Sequence, residues 1–282
     1  MRKYSHTSMT SYKRCRAQYS WKYVYNYAPK EGTGRIRGSA GHAALATWYR
    51  EGCSEESDEM AMKSAAEVFN VAEKQFQVSL DQDWDLMKII LPRYFRWARA
   101  NDDFEEILAI EQEFSIQIGP HTVIGFIDGV VKSKNGSIWL LEHKFNKQVS
   151  TRNIDLDSQM SLYLLAAYKL GIDVRGVLYN VIRVAEGGIA AKSPVERRQV
   201  FRRSDGLRMI EAETLVQLDE MAEFHENGGR VYRNPTANCS WDCSFYGVCL
   251  AINDDGDAKT ALSAIPIVER NSKEKDLGDP TE

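Results

Sequence analysis

The sequence predicts an α/β fold in which a central mixed β-sheet is flanked by helices, with a further helical region at the N-terminus. Three observations carry that prediction over the 282 residues. Residues 39–101 space their small and apolar side chains as helices do. Residues 107–144 change to the alternation and β-branched content of three strands. A helix pattern at 156–170 is then followed by a returning strand. A meander, a covering helix and a returning strand give a sheet whose faces helices can pack.

Taken in order, residues 5–27 read as one or two short helices, with Thr7, Ser8 and Thr10 as candidate N-caps. Residues 29–34 read as a connection. Residues 39–50 form a helix pattern through Ala40, Ala43, Ala44 and Trp48, with His42 inside it. Residues 67–77 and 84–100 continue the helical run, and Pro92 marks a kink or a boundary. The strands at 107–118, 122–132 and 137–144 are joined by a turn at Gly119-Pro120 and a hairpin signal at Asn135-Gly136, so they should pair antiparallel. After the helix at 156–170 come strands near 174–184 and 195–201, then a helix at 207–226. The organisation expected is a basic N-terminal segment (1–37), a mainly helical region (38–106), a sheet core (107–206), a helix with a three-cysteine segment (207–252) and an acidic, partly disordered tail (253–282), within which 261–268 could dock.

With 43% apolar residues the chain can bury one substantial core or two modest ones. Its apolar runs fall far short of the roughly 20 residues that cross a bilayer, and the first fifteen residues lack a secretory apolar run, so the expectation is a soluble, cytoplasmic protein. The formal net charge of -4 does not announce a nucleic-acid binder. Its distribution says more. Residues 1–37 carry Arg2, Lys3, Lys13, Arg14, Arg16, Lys22, Lys30, Arg35 and Arg37 against Glu31, a second basic stretch (183–208) includes Lys192, and residues 51–106 are acidic. Opposed charges of this kind can form separate faces. Of the five cysteines, Cys239, Cys243 and Cys249 lie within eleven residues, which suggests ligation, whereas Cys53 stands apart as a free or partly buried thiol.

Asp128 ends Gly125-Phe126-Ile127-Asp128, and Glu142-His143-Lys144 ends the next strand across the hairpin. Side chains two apart on a strand share a face, so Glu142 and Lys144 point together and His143 points away. Pairing of the strands would bring Asp128 within reach of Glu142. Two carboxylates held together repel unless a cation sits between them. Such an ion acidifies water and offsets phosphoryl charge, which suits phosphodiester hydrolysis, with Lys144 able to donate to a phosphate oxygen or orient a water. A surface salt bridge on a hairpin is the alternative reading of the same triplet.

These residues resemble the signature of the PD-(D/E)XK nuclease superfamily, with Gly-Phe-Ile-Asp in place of Pro-Asp. Gly38-Ser39-Ala40-Gly41-His42 and Gln159-x3-Tyr163 are similar to the Gly-x-x-x-His and Gln-x-x-x-Tyr helix motifs of the RecB-like and Cas4-like branch, including its AddB-type members. The resemblance covers about residues 1–250. It implies a restriction-endonuclease-like core across 107–206. It also implies a Mg²⁺ or Mn²⁺ ion held by His42, Asp128 and Glu142, a water-supporting role for Lys144, and nucleic-acid contacts from Gln159 and Tyr163. Glu113 receives no role from it.

The same branch often carries an iron–sulfur cluster held by one cysteine before the core and three after it, which would be Cys15, Cys239, Cys243 and Cys249. This chain has Cys-x3-Cys where the branch has Cys-x2-Cys, and Arg16 where proline commonly follows the first cysteine. A [4Fe-4S] cluster is the implied cofactor, with Zn²⁺ as the alternative. The activity implied is that of a DNA nuclease, and of an exonuclease on single-stranded or end-bearing DNA. Recombination, repair, phage DNA processing and spacer acquisition all employ this kind of site, so the pathway is left open, and a phage-encoded protein would act in a host cytoplasm. No Gly-x4-Gly-Lys-[Ser/Thr] loop is present, so unwinding would fall to a helicase or recombination partner. The competing readings are a non-catalytic nucleic-acid-binding module of the same fold and a zinc-stabilised interaction protein. Oligomeric state is left open.

Overall fold

The computed structural model describes residues 2–29, 32–146, 153–184, 193–254 and 256–267. Its six strands are β1 (Lys3–Ser5), β2 (Phe104–Ile118), β3 (His121–Ser133), β4 (Ile138–Asn146), β5 (Gly176–Arg183) and β6 (Val195–Val200), in the order β1-β3-β4-β5-β6 with β2 also pairing β3. The sheet is mixed, since β3–β4 and β5–β6 are antiparallel and β1–β3 and β4–β5 are parallel. The chain divides into two compact units, residues 1–31, 115–125 and 208–282, and residues 32–114 and 126–207.

The second unit is built on a helical layer. Helix α3 (Thr33–Arg50) packs on α4 (Glu55–Phe76) and α5 (Asp81–Asn101) through Ala40, Ala44, Ala61 and Ala65, small residues that let the helices approach closely. Trp48 stacks on Phe95 at 5.1 Å to fill the space beyond them. The capping box between Ser54 and Ser57, followed by Glu55, Glu56 and Asp58 in the first turn, starts α4 twelve residues before the expected 67, because caps and charges at a helix start leave no apolar period to read. Pro92 lies inside α5 and does not end it. Strand β4 is buried from Trp139 through His143, as befits a strand with partners on both sides. Between β4 and β5, a 3₁₀ turn (Ile154–Leu156) leads to Asp157, whose carboxylate accepts from the backbone N–H groups of Gln159 and Met160 and starts α6 (Ser158–Lys169).

In the first unit, Lys3–Ser5 forms a strand that sequence reading does not identify, pairing with Thr122–Ile124. Three residues are too short to show alternation. Ser5, and not Thr7, Ser8 or Thr10, is the N-cap of α1 (His6–Arg14), with Ser8 returning the bond. Helix α2 (Arg16–Tyr19) continues into a π-helical turn (Ser20–Val24). Tyr12, Tyr19, Tyr23 and Phe224 of α7 (Ser204–Glu226) make an aromatic cluster. After the short helix α8 (Cys239–Asp242), a second small core joins Ala17 and Trp21 to Phe245, the N-cap of α9 (Tyr246–Asn253), to Val248 within α9 and to Leu262 of α10 (Ala258–Ser263). The docking expected within 261–268 is seen in the buried Leu262 and in a bridge between Tyr27 and Ile267. Residues 268–282, and Lys30 and Lys192 of the basic stretches, lie outside the described residues.

The four-cysteine site does not form. Among the described residues, the group of three or more ligating side chains with all ligand atoms within 4.8 Å of one another is His42, Glu111 and Asp128, and no cysteine set meets that condition. Each sulfur has a local role instead. Cys15 Sγ accepts from the Gln18 N–H as the N-cap of α2. Cys239 Sγ accepts from the Thr236 N–H. Cys243 and Cys249 pack half-buried against the Phe245 core, which pushes their thiol pKa values up. The iron–sulfur ligand set, and with it the AddB-type assignment, is thereby overturned, and the geometry supplies no thiolate set for the zinc alternative either.

Candidate active site

The β3–β4 ladder runs from Lys132↔Ile138 to Gly129↔Leu141, and Asp128 and Glu142 stand immediately beyond its last pair. There the Asp128 side chain reaches across, and its Oδ2 accepts from the His143 backbone N–H at 2.7 Å. Its Oδ1 lies 3.3 Å from His42 Nδ1. Helix α3 delivers that histidine because Gly41 lets the helix back press on the ring of Phe145. A Cβ at Gly41 would sit 2.3 Å from the ring, and the ring in turn meets His42 edge-on at 5.5 Å. Glu111 completes a His–Glu–Asp group. It lies within β2 at φ 52, a left-handed backbone uncommon for a side-chain-bearing residue, which breaks the strand's alternation at this point. The sequence singles out Glu113 for discussion and passes over Glu111, since nothing in the residue order marks the turn of φ.

Glu142 is 2% exposed and lies outside that three-residue group. Its Oε1 pairs with Lys144 Nζ, and its buried Oε2 has no hydrogen-bond partner. Burial, and then the charge of Asp128, push the Glu142 pKa up to about 7 despite Lys144. Asp128 also suffers burial, but the charge and hydrogen bond of His42 outweigh it and hold this carboxyl low, at about 2. Burial opposes charge on His42 and Lys144 as well, yet the carboxylates beside them raise both. Two carboxylates pushed apart in this way are what one site produces when negative charge is crowded without a cation.

Lys144 Nζ also donates to Gln159 Oε1 at 2.8 Å, and Gln159 Nε2 donates to the Tyr163 hydroxyl at 2.7 Å. Gln159 sits in the first turn of α6 and Tyr163 one turn later, so both side chains leave the same helix face. The structure therefore brings His42 to Asp128, Lys144 to Glu142, Gln159 to Lys144, and Tyr163 to Gln159. The donors are one imidazole and three carboxylates, a set suited to a hard divalent cation, and the orphaned Glu142 oxygen is the kind of buried atom a cation would satisfy.

A family model described as the PD-(D/E)XK nuclease superfamily matches residues 3–250. The chain belongs to the PD-(D/E)XK nuclease superfamily. Solved structures similar to it include the protein SSO0001, at 12% identity over 78% of this chain and 84% of that one with a TM-score of 0.34. A protein from Eubacterium rectale provisionally named an exonuclease matches at 11% identity over 84% and 92% with a TM-score of 0.44. Neither likeness adds to the superfamily assignment. No curated protein sequence matches the chain.

Proposed function

We propose that this chain is a divalent-metal-dependent deoxyribonuclease that hydrolyses phosphodiester bonds, and specifically an exonuclease on single-stranded or end-bearing DNA. The observation that carries the metal-dependent reading is the buried Glu142 Oε2, without a partner and beside a second carboxylate at the end of an interrupted ladder. His42, Asp128 and Glu142 would hold Mg²⁺ or Mn²⁺, with Glu111 as a further donor. When bound, the ion makes water more acidic and offsets charge on phosphoryl oxygens. Lys144, fixed between Glu142 and Gln159, directs its ammonium to the attacking water or to a phosphate oxygen. Gln159, itself bonded to the Tyr163 hydroxyl, holds that ammonium in place, and the two residues would offer polar groups to the strand being cut. The exonuclease preference rests on the Gly-x-x-x-His and Gln-x-x-x-Tyr resemblance, and a helicase or recombination protein is the partner it suggests.

The test is cleavage of end-labelled single- and double-stranded DNA with Mg²⁺ or Mn²⁺, with linear and circular substrates compared. Wild-type protein should cut linear DNA progressively from its ends, chelation should stop it, and Glu142→Ala should lose cleavage while still binding DNA. Binding without cleavage in the wild type would make the chain a nucleic-acid-binding module, and cutting of circles at the linear rate would remove the exonuclease assignment.

A further inference from the structure

His143, between the two candidate site residues of β4, faces the opposite side of the sheet and is 2% exposed. Behind it runs a row of polar side chains, one from each of three neighbouring strands. His143 registers with Asn180 and Asn180 with Arg197. Asn180 lies 3.4 Å from the His143 Nδ1, and Arg197 Nε donates to Asn180 Oδ1 at 2.7 Å. Arg197 then donates to Asp102, the C-cap of α5, at 2.6 Å, and the Tyr49 hydroxyl donates to the same carboxylate at 2.9 Å. Tyr49 closes the ring by lying parallel to the His143 imidazole, centroids 5.8 Å apart, while Tyr94 meets that imidazole edge-on and shares a hydrogen bond with Tyr49.

A largely buried Arg–Asp pair such as this one, with side chains 18% and 10% exposed, is costly to desolvate, and apolar residues of similar volume commonly serve stability as well. What such a network supplies is a single fixed arrangement. Here the arrangement bears on the metal donors. Past Gly129↔Leu141 the β3–β4 ladder no longer sets how far Asp128 stands from β4, and the His143 N–H bond to Asp128 Oδ2 takes over that task. The direction of that N–H follows from the orientation of the peptide between Glu142 and His143, which the pairing of both residues with β5 sets and the contacts of the gripped imidazole on the far face reinforce.

We propose that His143, held by Tyr49, Asn180 and the Arg197–Asp102 pair, is a positioning residue that sets the Asp128 carboxylate for the metal ion from the opposite face of the sheet. The inference rests on the metal-dependent reading above, and its primary test needs no metal. In metal-free protein, the exchange rate of the His143 amide hydrogen should rise at least tenfold in His143→Leu and Asn180→Leu, while the Leu140 and Leu141 amides stay as in the wild type. Mn²⁺ binding should weaken by about tenfold or more in the same two proteins, the usual loss when an outer partner of a ligand is removed. His143→Asn, whose amide oxygen replaces the Nδ1 acceptor, should stay within about twofold of wild type in both measurements, since that acceptor is the group Asn180 meets. Should His143→Leu fail to fold, Tyr49→Phe removes one hydroxyl and keeps the ring, and it should still speed exchange at His143. Folded variants with wild-type exchange at His143 and wild-type Mn²⁺ affinity would overturn the proposal. A wild-type chain that bound no Mn²⁺ would overturn the metal-dependent reading instead, and the metal-free exchange data would still decide whether His143 is gripped.

Discussion

Glu142 is a carboxylate in a place that disfavours its charge, and Lys144 is the cation nearest to hand. The pair explains itself chemically if the lysine acts while a divalent ion takes over the glutamate. Lys144→Ala should therefore lower kcat by about a hundredfold or more with little change in KM for DNA. A variant whose defect vanished at saturating DNA would assign Lys144 to binding alone. In the unit that holds residues 208–282, His225 Nε2 is joined to the Tyr19 hydroxyl at 2.7 Å and accepts from Arg2 at 3.2 Å, and the second contact needs the ring nitrogen unprotonated. Burial, and then the Arg2 charge, hold its pKa down at about 4 against an ordinary 6.5. Between those values the unfolded chain binds more protons at this position than the folded one, so stability falls as pH drops from about 6.5 towards 4 and is insensitive to this group above that window. The melting temperature of the wild type should fall by several degrees more than that of His225→Gln over this range. Parallel curves would show that the ring is not held neutral.

At the scale of elements, the approach of α3 to β4 turns on Gly41. The Cβ of Gly41→Ala would collide with the Phe145 ring, and the ring or the helix must move, taking His42 away from Asp128. Gly41→Ala should weaken Mn²⁺ binding by roughly tenfold, and the double variant with Phe145→Ala should recover most of it. No recovery would mean that the glycine serves helix packing elsewhere. Much of this was legible in the sequence. Period-2 alternation and the Asn135-Gly136 turn put β3 and β4 side by side, and the spacing of Asp128, Glu142 and Lys144 carried the site with them. The parts that were not legible share a cause, since they depend on backbone geometry or on contacts distant in sequence. Glu111 joins His42 and Asp128 through a left-handed φ, and Lys3–Ser5 is a strand only because Thr122–Ile124 offers it an edge. The cysteines show the opposite error. Their spacing looked like a ligand set, yet Cys15 caps a helix and Cys243 and Cys249 pack on Phe245.

For the molecule as a whole, His42, Glu111, Asp128 and Glu142 all belong to the unit of residues 32–114 and 126–207. An ion that binds the folded site stabilises what holds it, by about 2.7 kcal/mol at a hundredfold excess over Kd. Saturating Mn²⁺ should slow hydrogen exchange in that unit and leave residues 2–29 and 208–254 largely unchanged. Equal protection of both units would show that the ion acts on something other than these four residues. Among the described residues no helix is long and apolar enough to cross a membrane. One divalent cation should sit where β3 and β4 part. The measurement that tests it most directly is anomalous X-ray diffraction from crystals grown with Mn²⁺. A manganese peak should appear at roughly 2.0–2.4 Å from oxygens of Asp128 and Glu142 and from a ring nitrogen of His42, and it should vanish in Asp128→Ala. A well-ordered site with no peak there at saturating Mn²⁺, or a peak bound by other residues alone, would contradict the account.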